Sequence, residues 1–368
     1  MRRVPWFVWS SLAAVTCILC GVYWDISWHM TIGRDTFWTP AHLLIQAGGI
    51  LSGLAGSYLI VSTTRRRAVP AVGIRVWGFR GPLGAFFGVW GAATMVASAP
   101  FDNWWHAAYG LDVKILSPPH IVLTTGILGV AVGAALLVIA ASNNATGPER
   151  ARLRTLVLVL GGQILTLAMI GILELTFRAN LHRAEAYGAM AIVAPVALFA
   201  VAHASGSRWG ATVTAASYMG TMLLGMWILP RFGAEPKLGP VYQHITHYIP
   251  LEFPPLVIVP AVLIDLARAR LAARPRWLQA IVAGVIFVVA LVAVEWPFAS
   301  FLSSEASHGW LFATDYYAYF VQPEWYEPRG ELMVDDQLAL GLAKAIGLAI
   351  VASRVGMLVG DAMAKVRR

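Results

Sequence analysis

An all-α, polytopic integral membrane bundle of about ten transmembrane helices, with both termini in the cytoplasm, is the fold this sequence predicts. Three observations predict it. Of 368 residues, 58% are hydrophobic and 12% charged, and the mean hydropathy is +0.67. Apolar runs of about 18 to 23 residues recur, the length a hydrocarbon core demands of a helix. Basic residues crowd alternate connections and leave the others nearly bare, as the positive-inside rule requires.

Taken in order, the expected spans cover residues 6–24, 42–62, 82–100, 120–141, 155–174, 187–204, 210–229, 254–267 with its apolar lead-in, 277–299 and 338–360. Arg2 and Arg3 before the first run resemble a signal peptide, but no small-residue cleavage site precedes Asp25, so the run reads as a retained span. Cys17 and Cys20 within it read as packing residues and imply no disulfide framework. Gly48, Gly49, Gly53 and Gly56 in the second span suit close helix packing in lipid, not a phosphate-binding loop.

The connections set the orientation. Arg65, Arg66, Arg67, Arg75 and Arg80, then Arg150, Arg152 and Arg154, then Arg208, then Arg268 to Arg276, and finally Arg367 and Arg368 all fall on the side shared by the termini. The net charge of +8 is then an orientation signal at the lipid bilayer. No basic run is interleaved with stacking aromatics on a soluble domain, so nucleic acid is excluded as a partner. The most polar linkers are 143–154 and 268–276. One membrane domain is expected, with metal-site helices in 1–142 and additional transmembrane helices in 143–368.

Chemistry concentrates on the outer face. On this topology His29, His42, His106, His120, His182, His244, His247 and His308 lie at or beyond it, and only His203 of the nine histidines lies inward. Such groups are costly at membrane depth, so a functional role is their default reading. Two copies of one pattern stand out: Asp25-x3-His29 followed by His42, and Asp102-x3-His106 followed by His120. A carboxylate and an imidazole four residues apart share one helix face, and a second imidazole returns from the next element. Pro40 before His42, and Pro118 and Pro119 before His120, suit the first turn of a helix. The same prolines, with Arg34, Asp35, Asp112 and Lys114, rule out a continuous helix carrying two stacked haems between the histidines.

Weaker candidates lie elsewhere on that face. Glu174, Arg178 and His182 are spaced to line one helix face at the end of the fifth span, as an ion-paired helix end. His244 and His247, with Glu252, precede the eighth span. The outer loop 300–337 crowds Trp310, Phe312, Tyr316, Tyr317, Tyr319, Phe320, Trp325 and Tyr326 beside His308 and Asp315, as an interfacial belt or as a lid over the metal hairpins.

From the ligand types alone the metal stays open. Two histidines and a carboxylate suit copper, non-haem iron or zinc. The longer pattern Asp25-x3-His29-x-Thr31-x2-Arg34-Asp35-Thr36-x2-Thr39-Pro40-x-His42 resembles the signature of the C subunit of the copper-dependent membrane monooxygenases, the particulate methane and ammonia monooxygenases. Asp102-x3-His106-x13-His120 is similar to that subunit's other copper site, which usually has asparagine where this chain has Asp102. The likeness covers residues 5–140.

The resemblance implies one or two copper ions at Asp25, His29 and His42 and at Asp102, His106 and His120, the same six residues being the catalytic candidates. Arg34 and Asp35 read as a loop-fixing pair, or as residues that orient the imidazoles or close an ion pair over the site. The resemblance further implies O2 and a small apolar or ammonia-like substrate, a quinol donor, and other monooxygenase subunits in a trimer, or a stand-alone relative. The alternative is a copper transporter or copper-handling membrane protein, since polar residues at membrane depth also mark transport pathways. Against it, the spans after both motifs are nearly unbroken Leu, Ile, Val, Ala and Gly.

Overall fold

The computed structural model describes residues 4–33, 38–65, 73–110, 117–322 and 334–367. Its helices are α1 (Trp6–Thr31), α2 (Pro40–Arg65), α3 (Leu83–Tyr109), α4 (Pro118–Asn144), α5 (Gly147–Ile170), α6 (Ala184–Ser205), α7 (Gly210–Ile228), α8 (Ile258–Leu271), α9 (Arg276–Leu302) and α10 (Leu338–Met363). Between α2 and α3 the strands β1 (Ile74–Val76) and β2 (Phe79–Gly81) pair antiparallel, with Arg75 opposite Arg80. Among the described residues, nine helices are long and apolar enough to cross a membrane. Large apolar side chains face outward, such as Leu54 at 67% exposure and Leu128 at 59%, as suits helices whose solvent is lipid.

The element missing from the nine is α8, which has only 14 residues. Its apolar lead-in contains Pro250, Pro254 and Pro255, which deny the backbone N–H groups and the preceding conformations that a helix needs. The fifth span likewise ends earlier than its apolar run suggests. After Ile170 the chain passes Gly171 and forms two short 3-10 turns, Leu173–Thr176 and Arg178–Asn180, separated by Phe177 in an extended conformation. This corrects the expectation that Glu174, Arg178 and His182 line one helix face.

Chain contacts define two compact units, one of residues 1–25, 34–160 and 365–368, the other of residues 26–33 and 161–364. In the first, α3 and α4 meet along a seam of Gly84, Gly88 and Gly91 against Gly126, Gly129 and Gly133. A Cβ at Gly91 would lie 2.5 Å from the Val130 nitrogen, so the two backbones touch where side chains would ordinarily stand. Gly21 gives α1 the same approach to Ile45 of α2. The C-terminal tail is tied to the end of α4 by the Asn143 amide, which donates to the Val366 carbonyl at 2.7 Å.

The second unit has two polar ends. At one, His182 contacts the Trp296 carbonyl at 2.8 Å, Leu256 N–H donates to Glu295 at 2.7 Å, and Ala184 N–H donates to Asp335 at 2.8 Å. At the other, Thr212 N–H donates to Asp265 at 2.8 Å and His203 Nδ1 contacts Asp361 at 2.8 Å. Helices α6, α8 and α10 therefore run from the first end to the second, and α7 and α9 run back.

Candidate metal centre

Both hairpins open the helix of their closing histidine with proline, and among the described residues only the first adds a side-chain cap. Thr39 precedes Pro40 at the start of α2 and its hydroxyl accepts the His42 N–H at 3.2 Å, a side-chain cap on an otherwise orphaned donor. Ser117 precedes Pro118 and Pro119 at the start of α4, and His120 follows as the third helical residue, as His42 does in α2. Proline there loses no hydrogen bond and pre-sets the backbone, so each imidazole leaves from a defined point of a helix.

In the first hairpin Asp25 and His29 stand one turn apart on α1. Asp25 Oδ1 lies 3.1 Å from His42 Nε2, and one ligand atom from each of Asp25, His29 and His42 falls within 4.8 Å of the others. All three are half-buried. Donors at about 2.0–2.1 Å from one tetrahedral ion stand about 3.3 Å apart, a separation that Asp25 and His42 already hold, so sharing one ion asks the wider members of the set to draw in by up to about 1.5 Å. The last turns of α1 are fastened within the second unit. Ser27 donates to the Ile249 carbonyl at 2.5 Å, Ile249 N–H donates to Thr31 Oγ1 at 2.8 Å, Tyr319 N–H donates to the Met30 carbonyl at 3.1 Å, and Lys237 N–H donates to Ile32 at 2.9 Å.

The second hairpin draws on α3 and α4. Asp102 Oδ1 is buried and makes no hydrogen bond among the described residues, yet His106 Nε2 faces it at 3.4 Å and His120 Nε2 at 3.7 Å. A buried carboxylate oxygen held just beyond hydrogen-bonding distance of two imidazoles is the arrangement a bridging cation would complete. His106 Nδ1 contacts the Gly110 carbonyl at 3.3 Å, which orients the ring and turns Nε2 toward Asp102. Among the described residues only the first set brings three ligand atoms within 4.8 Å, so the second is looser by that measure.

Between the two sets lies a cavity of about 20 Å³, room for about one water-sized molecule. His42 and Gln46 of α2, Ser98 and Asp102 of α3, and His120 and Leu123 of α4 line it. Gln46 Oε1 is buried there with no hydrogen-bond partner among the described residues. Sequence reasoning missed Gln46 and Ser98, though the signal was present: one lies four residues after His42, the other four before Asp102, each on its ligand's helix face.

The weaker candidates go elsewhere. Glu174 is exposed, and the buried His182 ring stacks on Trp296 with centroids 4.0 Å apart. His244 is exposed, while His247 packs edge-on against Tyr316 and lies 3.3 Å from the Thr246 hydroxyl. His308 stands 3.9 Å from Asp315. Glu252 accepts the Arg178 N–H at 2.6 Å and stands 3.7 Å from its guanidinium. Arg34, Asp35 and Thr36 of the long signature, and Trp325 and Tyr326 of the aromatic loop, lie outside the described residues. No protein-family model matches the chain, and no curated protein or solved structure matches it.

Proposed function

We propose that this chain is a copper-dependent membrane monooxygenase, as a component or as a stand-alone relative of the C subunit of the particulate methane and ammonia monooxygenases. The observation that carries the reading is the convergence of Asp25, His29 and His42 to within 4.8 Å, with an equivalent carboxylate and two imidazoles one hairpin later. Copper bound there supplies one-electron redox chemistry toward O2. The chain's own residues do the rest. The carboxylates favour a cation, the helix starts aim the imidazoles, and the Gln46 amide and Ser98 hydroxyl orient a small guest in the cavity. The apolar walls of α2, α3 and α4 keep bulk water from the reacting centre. A cavity this small selects small substrates.

In this reading α8 and its extended lead-in complete a tenth crossing, supported by the alternation of polar ends from α6 to α10. Both termini then lie in the cytoplasm of an inner-membrane protein, and the basic connections put the metal hairpins toward the outer face. Quinol is the donor we assign, and further subunits and a trimer are the assembly.

The test is elemental analysis with electron paramagnetic resonance on protein purified from membranes, comparing wild type with His42→Ala and His120→Ala. Copper in the wild type, diminished separately by each substitution, supports the proposal and leads to turnover assays with O2. Iron or zinc in its place overturns the copper assignment, and metal-free protein overturns the centre itself.

A further inference from the structure

At the end of the second unit where α6 and α10 finish and α7 and α9 begin, the helices line an open cavity of about 310 Å³. Pockets for small organic ligands start near this size, about 300 Å³. Arg208, Arg268 and Arg276 line it, with His203 and Asp265.

The two carboxylates at this end are already engaged. Asp265 is fully buried and accepts from Ala211 N–H at 3.3 Å, from Thr212 N–H and hydroxyl at 2.8 and 2.9 Å, and from Arg268 at 2.6 Å. It caps the first turn of α7 and neutralises one guanidinium. Asp361 lies 2.8 Å from His203 Nδ1 and 3.3 Å from Arg276. Three guanidiniums against two carboxylates leave a positive balance even with His203 neutral. Arg208 carries the surplus: among the described residues it has no carboxylate partner, and its guanidinium rests over the Trp209 ring at 5.6 Å.

We propose that this cavity binds a phosphate group, the headgroup of an anionic phospholipid or a soluble phosphate ester. Guanidinium forks match phosphate oxygens with paired, charge-assisted hydrogen bonds. A phosphate between Arg208 and Arg276 would relieve the repulsion of clustered cations where the described residues supply no further carboxylate. Depth favours the lipid. Trp209 and Trp277 at the same end are 40% and 58% exposed, as interfacial anchors are, and basic pockets between membrane helices recognise lipid headgroups.

The test uses the full-length protein in detergent and in nanodiscs. Native mass spectrometry measures retention of phosphatidylglycerol against phosphatidylcholine, and calorimetry measures inorganic phosphate and glycerol 3-phosphate. Wild type should retain phosphatidylglycerol, Arg208→Gln should weaken it roughly fivefold, the worth of one basic residue near an anionic surface, and Arg208→Gln with Arg276→Gln should weaken it further. Both arginines are exposed, so the variants should melt as wild type does. Arg231→Gln, at the other polar end, should change nothing. Binding of the soluble phosphates alone, lost in the same variants, supports the site and assigns it to a soluble ester. Equal retention of every ligand by wild type and by Arg208→Gln overturns it.

Discussion

The two hairpins use one ligand pattern and hold it in different ways. In the first, the helix end that carries His29 is fastened by four hydrogen bonds from distant loops, to Ser27, Met30, Thr31 and Ile32. The second has no such fastening among the described residues: its ligands depend on the glycine seam between α3 and α4, and its own loop contributes the Gly110 contact to His106. The tighter set is the one held by hydrogen bonds. Directional bonds fix a helix end to a few tenths of an ångström, whereas packing fixes a helix axis and leaves the terminal turn to fray.

The largest effect should come from the seam. Gly91→Leu drives a side chain into the Val130 backbone and should cost about 3 kcal/mol or more. Melting temperature should fall, and bound metal should leave the Asp102 set before the Asp25 set; loss from both together would show that the hairpins are not held separately. Next, Asp102→Asn removes the only carboxylate of the second set and should lower its metal retention by about 10- to 100-fold while sparing the first, read by competition with a chelator. A smaller effect belongs to Thr31→Val, which deletes the acceptor for Ile249 N–H and leaves that donor buried. About 1–3 kcal/mol of local stability should be lost, seen as faster amide exchange at the end of α1 with the second hairpin unchanged. An equal rise in exchange at His106 would erase the contrast.

Much of this architecture was legible in the residues. Long apolar runs mark helices because lipid leaves a spanning backbone no other partner, and Asp25 to His29 is a helical turn wherever the helix continues. The start of α2 could be read from Thr39 and Pro40. Other features needed three dimensions. Three prolines overrode an apolar run before α8, and the glycine after Ile170 ended α5 before Glu174. The cavity beside Gln46 was invisible because facing positions on three helices define it, and no local spacing encodes which faces meet.

The seam of glycines has a further consequence for the second hairpin. Two helices in contact through their main chains have no rotamers with which to adjust their separation, so the distance between the axes of α3 and α4 is set by peptide geometry. Asp102 lies beyond Gly91 and His120 before Gly126, so the gap between their side chains still adjusts through their own turns and rotamers. A guest at that end would meet two fixed helices and a yielding mouth.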